Sequence, residues 1–174
     1  FSGQFDIMIW FTSGSNTPDD DEGVLFGKGT SSLKIQIETI HDSGAQYVKA
    51  QIGSSSNIIT GSNVNTLTAQ TKNSTGYHWV RLKRDGNNLV TLSVDGTSEG
   101  TIADLSGDVA ATTTDLYIGG DFEGDSNSLG NIYISQVRLY CGGFITDEEF
   151  TTLRGTYRQP NTIKFGGTVW KIDE

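Results

Sequence analysis

A single cysteine, Cys141, in a chain of 174 residues leaves no intrachain disulfide to form. Small secreted animal domains usually lean on disulfide frameworks. A chain this long can do without one, because about 70% of its unfolded surface can be buried in one domain. The shortage points away from animal extracellular matrix and towards a microbial or viral source. Cys141 ends an apolar run, where a buried, inert thiol is expected. Basic residues are also few: twelve Lys and Arg stand against twenty-one Asp and Glu, for a net charge of −9. They are scattered along the chain, which argues against nucleic acid and against anionic membranes as partners. An acidic surface also keeps a protein in solution without any ligand. No apolar run is long enough to span a bilayer, so no membrane insertion is expected. The chain opens on Phe1-Ser-Gly-Gln without an initiator Met or a signal-peptide pattern. It is expected to be a piece processed from something longer.

What the chain has is glycine, twenty-two of them, with Thr, Ser and Asn between short apolar runs and only two prolines. That mixture suits many strands joined by tight turns. The clearest unit is Tyr77-His-Trp-Val-Arg-Leu-Lys-Arg84 followed by Leu89-Val-Thr-Leu-Ser-Val94. His78, Val80 and Leu82 alternate against Tyr77, Trp79, Arg81 and Lys83, while Val90, Leu92 and Val94 alternate against Leu89, Thr91 and Ser93. Asp85-Gly86 with two asparagines supplies the hairpin turn, and Asp95-Gly96 supplies the next one. Residues 4–12 alternate Phe5, Ile7, Ile9 and Phe11 against Asp6, Met8 and Trp10, apolar on both faces, which predicts a central strand. Leu33, Ile35 and Ile37 read as a half-buried strand, and residues 47–52 return as its hairpin partner. A Thr-rich strand of weak alternation is expected at residues 66–72. Beyond Thr97 the pattern fades, leaving one short strand at residues 101–103. Trp10, Trp79 and Tyr140 are expected to pack in or on the sandwich.

One helix is expected at residues 146–155. Thr146-Asp-Glu-Glu149 is a capping box, its three acids suit the helix dipole, Phe150 and Leu153 offer one buried edge, and Gly155 ends it. Pro160 marks a linker. The tail at residues 163–172 then reads as a strand pair whose Ile163, Phe165, Val169, Trp170 and Ile172 must bury themselves, either on the sandwich or on a neighbouring domain or subunit.

The aromatic-His-Trp-Val strand with its Arg-Asp-Gly turn and a following strand ending Val94-Asp-Gly96 resembles the centre of laminin-G-like, or concanavalin A-like, lectin jelly-roll domains. Asp115-Leu-Tyr-Ile-Gly-Gly120 and Ile132-Tyr-Ile-Ser-Gln-Val-Arg-Leu-Tyr140 resemble two later strands of that superfamily. Phe5-Asp-Ile-Met-Ile-Trp-Phe11 and Gly23-Val-Leu-Phe-Gly-Lys-Gly29 resemble its first two. The resemblance covers roughly residues 1–153. It implies an all-β, two-sheet antiparallel sandwich with one short helix after the last long strand. The expected division is a sandwich over residues 1–155 and a linker with an apolar extended tail over residues 156–174.

Fold alone does not give function, because this one hosts lectins, hydrolases, protein-binding modules and virion proteins. Hydrolases of the superfamily carry Glu-x-Asp-x-x-Glu on one strand. No such run exists here, and His41 and His78 belong to no motif, so the chain is read as no enzyme. Calcium prefers six to eight oxygens on flexible loops. Asp121-Phe-Glu-Gly-Asp-Ser-Asn127 places Asp121, Glu123, Asp125 and Asn127 at alternate positions, and Asp20 lies in the other acidic loop. The proposed metal ligands are therefore Asp20, Asp121, Glu123 and Asp125. The alternative reading is two solvated acidic loops. For sugar contact the candidates are Phe122, Asn127, Asn131 and Tyr133. The expected function is a recognition or adhesion module binding a glycan or glycoprotein surface through rim loops, in an extracellular, cell-surface or virion setting. A structural subunit joined to its neighbours through the tail is the alternative, and a glycoside hydrolase with unrecognised acids is the third.

Overall fold

The computed structural model of the chain describes residues 1, 3–13, 22–30, 32–42, 45–54, 57–63, 77–103, 109–110, 113–119, 132–156, 162–165 and 168–171. The strand expected at residues 66–72 and the linker around Pro160 lie outside them. Among the described residues ten strands build the sandwich: β1 (Phe5–Ser13), β2 (Glu22–Gly29), β3 (Lys34–Asp42), β4 (Ala45–Gly53), β5 (Ile58–Asn63), β6 (Tyr77–Arg84), β7 (Val90–Val94), β8 (Thr97–Ile102), β9 (Leu116–Ile118) and β10 (Ile132–Cys141). The front sheet runs β10-β1-β6-β7-β8 and the back sheet β5-β4-β3-β2-β9. Every pairing is antiparallel. Helix α1 (Asp147–Thr156) follows β10, and β11 (Thr162–Phe165) pairs with β12 (Thr168–Lys171) in a separate two-stranded sheet. No described helix is long and apolar enough to cross a membrane.

Alternation places the core. Phe5, Ile7, Ile9 and Phe11 of β1, Val80 and Leu82 of β6, and Val90, Leu92 and Val94 of β7 face inward. They meet Phe26, Ile35, Ile37, Val48, Ala50 and Ile52 of the back sheet. The register stacks Ile7 beside Leu82 and Leu82 beside Leu92, so one apolar row crosses three strands. Each such aliphatic side chain contributes roughly 1.5–3 kcal/mol by leaving water. A slip of one residue would turn the whole row outward, which is why the register is firmly set.

The turns are those the sequence predicts. In the β6–β7 turn, Asp85 Oδ1 accepts from the amides of Asn87 (2.8 Å) and Leu89 (3.0 Å), and Asn88 adopts φ +60°. In the β7–β8 turn, Asp95 and Gly96 take φ +50° and +85°, the pair of left-handed residues a two-residue hairpin requires. The Asp95 carboxylate accepts from the Trp79 amide at 2.9 Å and lies 2.7 Å from His78 Nδ1, pinning that turn onto β6. Strand β8 is longer than expected, six residues from Thr97. It is an edge strand largely open to water, so no apolar alternation announces it.

Strand β1 is apolar on its outer face as well, as a central strand should be. Met8, Trp10, Tyr77 and Trp79 form a second buried cluster there, closed by Phe150 of α1, with Ile145 and Leu153 packed against it. Trp10 stacks on Tyr77 at 5.4 Å, and Trp79 meets the Phe150 ring edge-on at 6.1 Å. The capping box forms: the Glu149 amide donates to Thr146 Oγ1 at 3.1 Å, and the Thr146 amide donates to Glu149 Oε2 at 2.7 Å. The helix passes through Gly155 to Thr156, one residue beyond the expected stop.

A buried ion pair fixes where this helix begins. Asp6 accepts from Arg81 Nε (2.9 Å) and Nη2 (2.7 Å), and both side chains are shut off from solvent. The pair also grips the chain entering α1. Asp6 accepts from the Ile145 amide at 3.2 Å, Arg81 Nη2 donates to the Ile145 carbonyl at 2.5 Å, and Arg81 Nη1 donates to Asp147 Oδ1 at 2.8 Å.

One expectation fails at the front sheet's edge. Cys141 is exposed and not a buried thiol, because it is the last residue of β10, an edge strand among those described. Tyr140, 37% exposed, lies on the sandwich and not in its core.

Removing one partner of a buried pair leaves an uncompensated charge, so Asp6→Asn is expected to lower unfolding free energy by about 3–5 kcal/mol. Urea titration of Asp6→Asn beside the parent measures it; a loss under about 1 kcal/mol would show the clamp to be ornamental. A second test uses acid. The Asp147 carboxyl lies below its ordinary value of 3.8: the Lys83 hydrogen bond lowers it most, partial burial opposes, and the Lys83 and Arg81 charges lower it further. The folded value is the lower one, so this stabilisation is present above the unfolded pKa and is lost as pH falls through the folded one. Glu149 acts in the same sense through its bonds to Thr146. Asp147→Asn is therefore expected to flatten the loss of thermal stability as pH falls below the ordinary carboxyl value of 3.8.

Candidate functional site

The outer face of the front sheet is sealed at its centre by the aromatic cluster and α1, and what it offers to solvent lies at its margins. Along β10 the register sets Tyr133 beside Thr12, Gln136 beside Trp10, Arg138 beside Met8 and Tyr140 beside Asp6. All four partners belong to the outward-facing set of β1, so Tyr133, Gln136, Arg138 and Tyr140 share one face. A bulge opposite Trp10 and Phe11 inserts Ser135 and carries that face across an odd spacing. Tyr133 is 63% exposed. At about 3.3 Å per residue the strip from Tyr133 to Tyr140 is roughly 23 Å long. Between its two rings, Gln136 with its amide oxygen turned to Arg138 accepts from Nε and Nη2 at 3.2 Å. That orientation leaves the amide NH₂ to donate elsewhere.

The back sheet's outer face carries a second polar group. Glu38 and Lys49 are direct cross-strand partners and form an ion pair, with Glu38 buried. Gln36, two residues along β3, donates from Nε2 to Glu38 Oε2 at 2.5 Å. Its own Oε1 is buried with no hydrogen-bond partner. Register extends this into a row across five strands: Tyr117, Gly27, Gln36, Gln51 and Ile58. Two-carboxylate glycoside hydrolysis needs a pair of acids flanking the scissile bond. Among the described side chains of this face only Glu38 supplies one.

Of the eight residues expected from sequence to bind ligand or metal, Tyr133 alone falls in the described chain, on the exposed end of the strip. Phe122, Asn127 and Asn131, and the acids Asp20, Asp121, Glu123 and Asp125, lie outside the described residues. Among those described, no three His, Cys, Asp or Glu side chains come together to hold a metal. His78 makes its hydrogen bond to Asp95 and lies 6.4 Å from the Phe11 ring. No described hydroxyl bonds that imidazole, so no Ser–His–Asp relay is assembled there. The sequence alone does not pick out Gln136, Arg138 and Tyr140 as candidates. Their signal is the alternation of β10, and the bulge at Ser135 breaks its period of two.

No protein-family model matches the sequence, and no curated protein matches it either. Solved structures do resemble the fold. A native heptameric SAP-like pentraxin from Limulus polyphemus superposes with a TM-score of 0.57 at 16% identity, over 87% of this chain and 69% of that one. The binding domain of botulinum neurotoxin DC, in complex with SialylT, gives 0.61 at 12% identity, over 94% of this chain and 38% of the other. NanB, solved with Optactamide, gives 0.63 at 17% identity, over 87% of this chain and 24% of its own. The chain thus spans well under half the length of the last two. With two five-stranded antiparallel sheets, a shared core and one short helix after the last long strand, the chain folds as a concanavalin A-like β-sandwich.

Proposed function

We propose that this chain is a non-catalytic glycan-recognition module of a larger extracellular, cell-surface or virion protein. The observation that carries the reading is the β10 strip: two exposed tyrosines on one face, with an amide and a guanidinium between them. Aromatic faces pack against the apolar side of a pyranose, and planar amides and guanidinium groups bond its hydroxyls. The setting is rigid, since each residue stands on a strand paired to the central β1, so little ordering cost falls on binding. The toxin binding domain solved with SialylT supports the reading by analogy of fold. The rim loops extend it: Phe122, Asn127 and Asn131 would lengthen the contact, and Asp20, Asp121, Glu123 and Asp125 would hold calcium beside it.

A second reading, a structural subunit of an assembly, draws on the β11–β12 hairpin, which joins neither sheet of the sandwich. In that reading the tail connects the sandwich to a neighbouring domain or subunit.

A glycan array screened with calcium and again with EDTA tests both. Binding is expected, and Tyr133→Ala and Tyr140→Ala are each expected to weaken it about tenfold, the loss of one stacking contact. Loss in EDTA would assign the acidic loops to a metal, and binding that ignores EDTA would discard the metal alone. A blank array, or tyrosine variants that bind like the parent, would refute recognition through the strip. A blank array with concentration-dependent self-association would favour the assembly.

A further inference from the structure

We propose that the groove between α1 and strands β6–β8 is a second ligand site, one that takes a single neutral pyranose. It lies on the outer face of the front sheet, three strands in from the β10 edge, and encloses about 150 Å³. Pockets for drug-sized ligands run to roughly 300–1,000 Å³, so this one admits about one sugar ring. Its inner limit is set by Phe150 and by Arg81, whose guanidinium lies 4.7 Å from the centre of that ring.

The sheet side of the groove presents Thr91, Ser93 and Ser98. Register brings them together, because Arg81 pairs with Ser93 and Ser93 with Ser98, while Thr91 pairs with Lys83. None of the three hydroxyls makes a hydrogen bond within the described structure, so each is available to donate and to accept. On the helix side, Lys83 Nζ donates to Asp147 Oδ1 at 2.8 Å, and the Asp147 side chain is 78% exposed. An exposed acceptor beside a donor suits a vicinal diol: one sugar hydroxyl donates to Asp147 and its neighbour accepts from Lys83.

The charges choose the ligand class. Asp6, Asp147 and Asp95 stand against Arg81, Lys83 and Arg154, whose guanidinium lies over Gly96 at the end of the groove, so no net charge is left for an anion. The chain as a whole carries −9, which further disfavours an acidic sugar. What remains without a protein partner is three hydroxyls, and these match a neutral polyol. The site shares no residue with the Tyr133–Tyr140 strip and stands whether or not that strip binds glycan.

The test is an amide-resolved NMR titration of the whole chain with glucose, galactose and mannose, with glycerol and N-acetylneuraminic acid as comparators. Saturable shifts are expected at Thr91, Ser93, Ser98, Asp147 and Thr151 for at least one neutral hexose, with a dissociation constant of about a millimolar. Ser98→Trp, made at an exposed edge position, should fill the groove and abolish them, whereas Tyr133→Ala should leave them intact. Ser93→Ala, which removes one hydroxyl with little change of shape, should weaken binding severalfold. No saturable shift in the groove, shifts that survive Ser98→Trp, or a preference for the acidic sugar would each overturn the proposal. Shifts confined to the surroundings of Tyr133 would overturn it too, while leaving the strip's role standing.

Discussion

The outer half of this molecule depends on one buried ion pair. Asp6 and Arg81 sit on adjacent strands two residues out of register, a diagonal that long side chains span. Their burial is expensive unless every polar atom finds a partner. Here most do: Asp6 accepts from Arg81 twice and from the Ile145 amide, and Arg81 gives its remaining bonds to the Ile145 carbonyl and Asp147. Two of those partners belong to the chain entering α1. The pair therefore serves as a socket for the helix as well as a contact between strands.

That socket explains how so short a helix keeps a fixed place. A ten-residue helix is marginal by itself, and its capping box contributes only about 1 kcal/mol. Phe150 does the rest. Both the Arg81 and the Arg154 guanidinium groups lie over its ring, 4.7 Å and 5.5 Å from its centre, and the Trp79 ring stands nearly perpendicular to it. Arg154 in turn donates to the Asp95 carbonyl and lies over Gly96, where a β-carbon would collide with it. The turn that Asp95 pins to β6 is thus also the turn the end of the helix rests on.

How much of this could be read beforehand follows from the range of each interaction. The β6–β7 hairpin, the capping box and the two-faced β1 are encoded within ten residues or so, and periodicity exposes them. The ion pair is not local: Asp6 and Arg81 are 75 positions apart, and in sequence each is one more polar residue in an alternating strand. Cys141 is exposed against expectation because a strand's own pattern does not say whether it lies at an edge. Tyr133 could be named as an exposed aromatic, but its companions on β10 could not, since a bulge shifts the face midway. The hydroxyls of Thr91, Ser93 and Ser98 carried no signal at all, being ordinary outward residues until α1 is laid over them.

The same constraint limits where any ligand can bind. A sheet used on both faces has no open platform: the inner face of β1 and β6 is core, and their outer face is closed by indole rings and a helix. Any recognition by the front sheet would fall on its flanks, where β10 on one side and β7–β8 on the other still present side chains to water. These flanks are strands hydrogen-bonded to a buried centre, so their side chains are held in place before a ligand arrives. Rigid positions favour shape and hydroxyl geometry over charge as the basis of selection. Arg81 and Lys83 are committed to ion pairs and Arg138 to the Gln136 amide, so a ligand on these flanks would be selected mainly through its hydroxyls.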